Sequence, residues 1–118
     1  MKDYRNLKVW ERAHQVALRV YSITKAFPKE EQYNLTSQLR RSAISIPTNI
    51  VEGSAKFTDK DFANYLQISL GSTHEVEYLL FFCQELELID AKQIDPLVKE
   101  VGEVKAMLIS LIKKVRSN

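Results

Sequence analysis

Turn-forming residues are scarce. Only three glycines and three prolines occur in 118 residues. An all-β chain needs a turn signal roughly every ten residues, so long helices are the expectation. There is one cysteine, Cys83. A lone cysteine makes no internal disulfide, and no Cys/His spacing for a metal is present. Such usage fits a reducing compartment. No apolar run approaches the roughly 18 residues of a membrane helix. The opening MKDYRNLKVW lacks the apolar stretch of a secretory leader, and a soluble, cytoplasmic protein is expected. Glycine-rich phosphate loops, triad spacings, internal repeats and low-complexity tracts are all missing. Nothing specific points to an enzyme, and no cofactor or metal is expected.

What is present is ordinary globular material, 45% apolar and 27% charged. At this length folding buries roughly two-thirds of the unfolded surface, which supports one domain over residues 1–118. The net charge of +2 conceals an asymmetry. Residues 1–29 carry seven Lys/Arg against two Asp/Glu, and residues 58–89 carry one lysine against six acids. Such a division serves either internal pairing or a basic surface for a polyanion.

Four helical segments follow from the spacing of apolar residues. The first runs from about Leu7 to Ala26, with Asn6 or Asp3 as its expected N-cap and two offset seams. One is Leu7, Trp10, His14, Ala17, Tyr21, Thr24, and the other is Val9, Ala13, Val16, Val20, Ile23, Phe27. Two seams bury a wide arc or face two partners. Phe27-Pro28 ends the segment. The second begins near Asn34 or Thr36 and carries Leu35, Leu39, Ala43, Ile46 and Ile50. The third opens at Thr58, a good N-cap followed by Asp59 and Asp61 at the positive helix start. Its seams pass through Phe62, Leu66, Ser69, Thr73, Val76, Leu80 and Cys83, and through Tyr65, Ile68, Ser72, Leu79, Phe82, Leu86 and Ile89. The fourth starts near Asp90, with Leu97, Val101, Val104, Leu108, Leu111 and Val115. Short connections make chain neighbours antiparallel. The expected fold is an all-α, up-down-up-down antiparallel four-helix bundle.

The segment SAISIPTNIVEGS, residues 42–54, tests this reading. Pro47 inside a helix removes the bond to the Ala43 carbonyl and crowds it, costing about 3 kcal/mol. Yet the apolar spacing continues through Leu39, Ala43, Ile46 and Ile50. Ser42, Ser45, Thr48 and Asn49 flank the break and are placed to satisfy loosened backbone groups. One kinked helix over residues 34–56 is therefore expected. Gly53 is then either a close-packing point or the beginning of the C-cap. Asn49 and Glu52 share a face and serve kink satisfaction and register in preference to a ligand.

The run Gln38-Leu39-Arg40-Arg41-Ser42-Ala43, with Ser45-Ile46-Pro47, Asn49-Ile50 and Glu52-Gly53, resembles the 23S rRNA intervening-sequence protein family. Leu7-Lys8-Val9-Trp10, then Phe27-Pro28 with Glu30-Glu31 and Tyr33, and Leu70-Gly71-Ser72 with Glu75, are similar to it as well. Asn34 stands where the family usually has glycine, and asparagine also tolerates a left-handed backbone. The resemblance implies a four-helix bundle that assembles into a ring-like homo-oligomer, typically a homopentamer. It also implies kinship with the accessory variability proteins of diversity-generating retroelements, which bind RNA and a reverse transcriptase through basic surfaces.

Candidate sites follow. Arg5, Lys8, Arg12 and Arg19 form a basic stripe on the first helix, which Arg40 and Arg41 extend. Phosphate contacts to RNA need little more than such spaced cations. The plainer reading is a solvated face, or ion pairs with the acidic third helix through Glu75, Glu77, Glu85 and Glu87. Glu11 and His14 form an E-x-x-H, but Gly71 stands three before His74, so the second copy of a di-iron motif is missing. Cys83 sits in the most apolar stretch and reads as a buried thiol. The wide apolar arcs need an outlet beyond one small core. Trp10, Tyr21, Tyr78, Phe81 and Phe82 are expected to divide between core and subunit interfaces. Two function classes stand: an RNA-binding or ribonucleoprotein accessory scaffold, and a protein–protein adaptor or structural ring.

Overall fold

The four helices appear where the apolar spacing puts them. The structure, a computed structural model, describes residues 1–118. Helices α1 (Lys8–Thr24), α2 (Ser37–Ser54), α3 (Asp59–Glu85) and α4 (Ala91–Arg116) carry most of the chain, and no strand occurs. They run up, down, up, down in a rod of 45 × 23 × 19 Å. The long dimension is that of α3, whose 27 residues span roughly 40 Å at about 1.5 Å each. Chain neighbours pack side by side, most extensively α2 with α3, and α4 closes back on α1. No helix is long and apolar enough to cross a membrane.

Local chemistry starts and stops these helices. Thr58 accepts from the Asp61 N–H at 3.1 Å, so the expected cap of α3 forms, and Asp90 caps α4 in the same way, accepting from the Gln93 N–H at 3.0 Å. Helix α1 is capped by neither Asn6 nor Asp3: Leu7 precedes it with no side-chain cap bond, and Asp3 caps the 3-10 turn at Tyr4–Asn6 instead. The end of α3 turns on Glu87, which adopts φ 62°, the one positive φ in the chain. The Glu87 N–H reaches the Gln84 carbonyl and the Leu88 N–H the Cys83 carbonyl. That is the Schellman arrangement, with glutamate where glycine usually stands.

The second segment differs from expectation at its start. After Pro28 the chain makes a 3-10 turn at Lys29–Glu31 and a π turn at Gln32–Thr36 before α2 proper begins at Ser37. Asn34 lies within the π turn and has no left-handed backbone. Beyond that point α2 is one continuous helix through Pro47. The Thr48 hydroxyl donates to the Ile44 carbonyl at 2.7 Å, the Asn49 amide to the Ser45 carbonyl at 2.8 Å, and the Ser69 hydroxyl of α3 to the Ile46 carbonyl at 2.8 Å. Three successive carbonyls around the proline thus gain side-chain donors. Tertiary packing then outweighs the cost of the ring, because Pro47 is itself buried, as are Ala43, Ile46 and Ile50 of the same helix. Each fully buried Leu or Ile contributes about 1.5–3 kcal/mol.

The core is one continuous apolar cluster to which every helix contributes. In α1 the seam of Val9, Ala13, Val16 and Val20 is buried, joined by Ala17 and Thr24 from the other seam. Ser69 and Thr73 of α3 are buried too, with their hydroxyls bonded to the Ile46 and Ser69 carbonyls.

Candidate functional site

The basic stripe of α1 meets acids, and they belong to α4. Arg12 pairs with Glu103, and Arg19 with Glu100 at 3.0 Å. Arg5, in the 3-10 turn that precedes α1, pairs with Asp3 at 3.3 Å. The Asp3 carboxyl is held below its ordinary range, first by the Arg5 backbone N–H and then by the Arg5 side chain. Lys8 is exposed and has no carboxylate partner. The acids of α3 do not take the part expected of them. Glu77 pairs with Lys105 of α4 at 3.1 Å, and Glu75, Glu85 and Glu87 face solvent. The reason is positional: α1 and α3 stand on the diagonal of the bundle, and α4 stands next to α1. Exposed pairs of this kind stabilise by about 0–1 kcal/mol each.

Of the polar residues of α2 around Pro47, Ser45 reaches α3 and Thr48 is exposed. Asn49 donates from Nδ2 to the Ser45 carbonyl and to Ser45 Oγ at 2.9 Å, and Ser45 Oγ shares a hydrogen bond of 2.9 Å with Ser72 Oγ. Asn49 therefore bonds Ser45, and Glu52 points to solvent. Gly53 is buried against α3. A Cβ there would lie 2.8 Å from Tyr65 Cβ and 3.3 Å from the Phe62 carbonyl oxygen. Of its two expected roles, close packing is the one it fills.

Arg40 and Arg41 lie on another part of the surface, at the corner between α1 and α2. Arg40 is half-buried. Its Nε donates to Thr24 Oγ1 at 2.7 Å and its Nη2 to the Tyr21 carbonyl at 3.2 Å. Its guanidinium lies 4.7 Å from the centre of the Tyr21 ring. Arg41 is exposed. Both line a hollow of about 450 Å³ with Tyr21, Gln32, Tyr33 and Ser37. The six candidate cations therefore form two groups.

The five aromatic candidates divide as well. Trp10 is half-buried, edge-on to Tyr4 at 4.9 Å and stacked on His14 at 5.1 Å. His14 thus belongs to an aromatic stack, and no three His, Cys, Asp or Glu side chains converge as metal ligands. Tyr21 is partly covered by Arg40. Tyr78, Phe81 and Phe82 on α3 are 58%, 57% and 38% exposed, and Leu86 beyond them is 50% exposed. Leu18 and Ile44 are exposed on α1 and α2. Cys83 is fully buried. Burial, and secondly the charge of Glu31, pushes its thiol up to about 11, so it carries no reactive thiolate near neutral pH.

Sequence reasoning missed Ser69, Ser72, Thr24, Glu100 and Glu103 as partners. Each acts across a helix–helix contact, and periodicity within one helix carries no signal for that. Tyr33 had a signal, its place beside Glu31 and Asn34 just before the arginine pair, but its exposure came only with the π turn.

The sequence of the chain matches the family described as 23S rRNA-intervening sequence protein over residues 5–110. A solved structure from Bacteroides thetaiotaomicron, a protein with unknown function from the S23 ribosomal protein family, superposes with a TM-score of 0.82 at 30% identity. That match covers 89% of this chain and 95% of the other. No curated protein matches. The family match spans most of the chain, including the Arg40–Gly53 run, the first three helices and most of α4, and the chain belongs to the 23S rRNA-intervening sequence protein family.

Proposed function

We propose that this protein is a non-enzymatic scaffold that assembles with further copies of itself into a closed ring, with the family resemblance favouring five. The observation that carries this reading is the outer face of α3. Tyr78, Phe81 and Phe82 in its last two turns and Leu86 at its C-cap are exposed, where a surface helix normally carries polar side chains. Clustered exposed apolar side chains of this kind mark association surfaces. A second apolar strip, Leu18, Tyr21 and Ile44, lies on α1 and α2. The Ser45–Ser72 contact sets the antiparallel register of α2 and α3. Residues of α3 beyond Ser72 therefore lie beside residues of α2 before Ser45, and the two strips share one half of the rod. Two unlike faces at one level favour head-to-tail contacts, which close as rings when the rotation permits. In this reading Arg12 and Arg19 seat α1 on α4 and do not serve a polyanion.

Light scattering at high micromolar concentration tests the reading. The expected result is a single species of several chains. Phe82→Asp with Leu86→Asp should dissociate it while the helical circular dichroism persists, because both side chains are exposed in the folded chain. A wild-type mass of one chain at that concentration would sink the proposal.

A further inference from the structure

The corner between α1 and α2 holds positive charge differently from the rest of the surface. Arg5, Arg12 and Arg19 each meet a carboxylate. Arg40 and Arg41 meet none within ion-pair distance. Arg40 is nonetheless fixed in place. Thr24 gives its own hydroxyl proton to the Val20 carbonyl at 2.7 Å, which leaves a lone pair of Oγ1 to accept from Arg40 Nε at 2.7 Å. The Tyr21 carbonyl takes Nη2 and the Tyr21 ring takes the guanidinium face. All of these partners are neutral. The charge is positioned and left without a counter-ion, and half-burial strengthens its field relative to one in bulk water.

The other walls of the hollow suit a planar ligand. Tyr33 lies in the π turn at Gln32–Thr36 with its side chain 86% exposed. It stacks on no other ring of the chain. Short π segments recur at functional sites. Gln32 adds an amide and Ser37 a hydroxyl to the same hollow of about 450 Å³. Glu31 is the nearest acid before it in sequence. It is half-buried and close enough to Cys83 to act on that thiol.

An arginine fork matches phosphate geometry. An exposed tyrosine face accepts a stacked base and is indifferent to which base it is. We propose that the α1–α2 corner binds a nucleotide unit, with its phosphate on Arg40 and Arg41 and its base against Tyr33. The unit comes either from a free mononucleotide or from a single strand of RNA. The hollow forms within one chain, but it shares Tyr21 and Ile44 with the apolar strip of α1 and α2, so the mass of each variant is measured beside its affinity.

The test is fluorescence anisotropy of the full chain with two probes, labelled oligouridylate and labelled adenosine monophosphate, at several potassium chloride concentrations. Tyr33→Ala and Arg41→Gln are the variants, since both side chains are exposed and neither supports the core. Each should weaken binding about tenfold, and Arg41→Gln should lower the slope of log affinity against log salt by about 0.7. Binding of the oligonucleotide alone assigns the site to a strand. Equal binding of the monophosphate assigns it to a free nucleotide. Failure of both probes to bind at low salt overturns the proposal. So does unchanged affinity in both variants, or an equal loss in Arg12→Gln with Arg19→Gln. A loss that comes with a changed mass in light scattering also overturns it, by tracing the effect to assembly.

Discussion

Replacing Gly53 by alanine sets two opposed effects against each other at one position. Alanine in a helix interior is favoured over glycine by about 0.5–1 kcal/mol, because less backbone entropy is lost on folding. The added methyl, however, would lie 2.8 Å from Tyr65 Cβ, 3.2 Å from Phe62 Cδ1 and 3.3 Å from the Phe62 carbonyl oxygen. Two of those atoms belong to or adjoin the α3 backbone and cannot rotate away. Helix α3 must withdraw from α2 at the most extensive helix contact in the bundle, and overpacking of that kind costs about 1–3 kcal/mol. The net expectation is a loss of about 1–2 kcal/mol. The chain supplies its own controls, because Gly71 in α3 and Gly102 in α4 have no atom within 4 Å of a built Cβ. Gly102→Ala should raise stability by about 0.5–1 kcal/mol, and Gly71→Ala likewise in the isolated chain. Urea unfolding followed by circular dichroism at fixed m-value resolves these differences. If Gly53→Ala is as stable as wild type, or Gly102→Ala is less stable, the packing argument is refuted. A gain at Gly102 with a loss at Gly71 would put a neighbouring copy against α3.

Three further outcomes can be checked in the same way. Ser69→Ala should cost about 0.5–1.5 kcal/mol in urea unfolding, because the Ile46 carbonyl beside Pro47 loses its buried side-chain donor and keeps only its helical one. Ser72→Ala, whose hydroxyl is only partly buried, should cost less. Glu87→Gly should stabilise by about 1 kcal/mol, since Glu87 holds φ 62° and a side chain disfavours that region; a loss would mean that the glutamate makes an interaction the turn needs. Cys83 titrates at about 11 when folded, against an ordinary 9.0. Between those values the unfolded chain has lost the thiol proton and the folded chain has kept it, so stability is full below pH 9 and falls as pH rises towards 11. The difference between wild type and Cys83→Ala should therefore narrow or reverse across that window, by at most about 1.4 kcal/mol per pH unit. A difference independent of pH would contradict the burial of the thiol.

Much of the fold was legible because its signals are local. Thr58 and Asp90 announce helix starts through a side-chain oxygen that reaches a backbone N–H three residues on, within one turn. The core seams of α1 and α4 repeat at the helical period. The continuity of α2 through Pro47 was legible because its apolar spacing never shifts, although one of the three donors, Ser69, comes from another helix. The candidate sites were less legible. Arg12 and Arg19 were recognisable as a pair on one face, but their partners are Glu103 and Glu100 of α4 and not the denser acids of α3. Arg40 and Arg41 read as an extension of that stripe and lie instead at a separate corner, because the connection of turns at residues 29–36 sets where α2 lies against α1.

The sequence by itself determined the helix number, their order, the cap at Thr58 and the apolar seams that each helix carries, since these depend on residues within a few positions of one another. Tertiary structure alone decided that Gly53 is a point of contact, that Ser69 serves the proline of a neighbouring helix, and that Arg40 is fixed by Thr24 without a counter-ion. Each of those facts depends on the register and neighbour order of packed helices. Side-chain volumes in the shared core set both together, and no single segment encodes them.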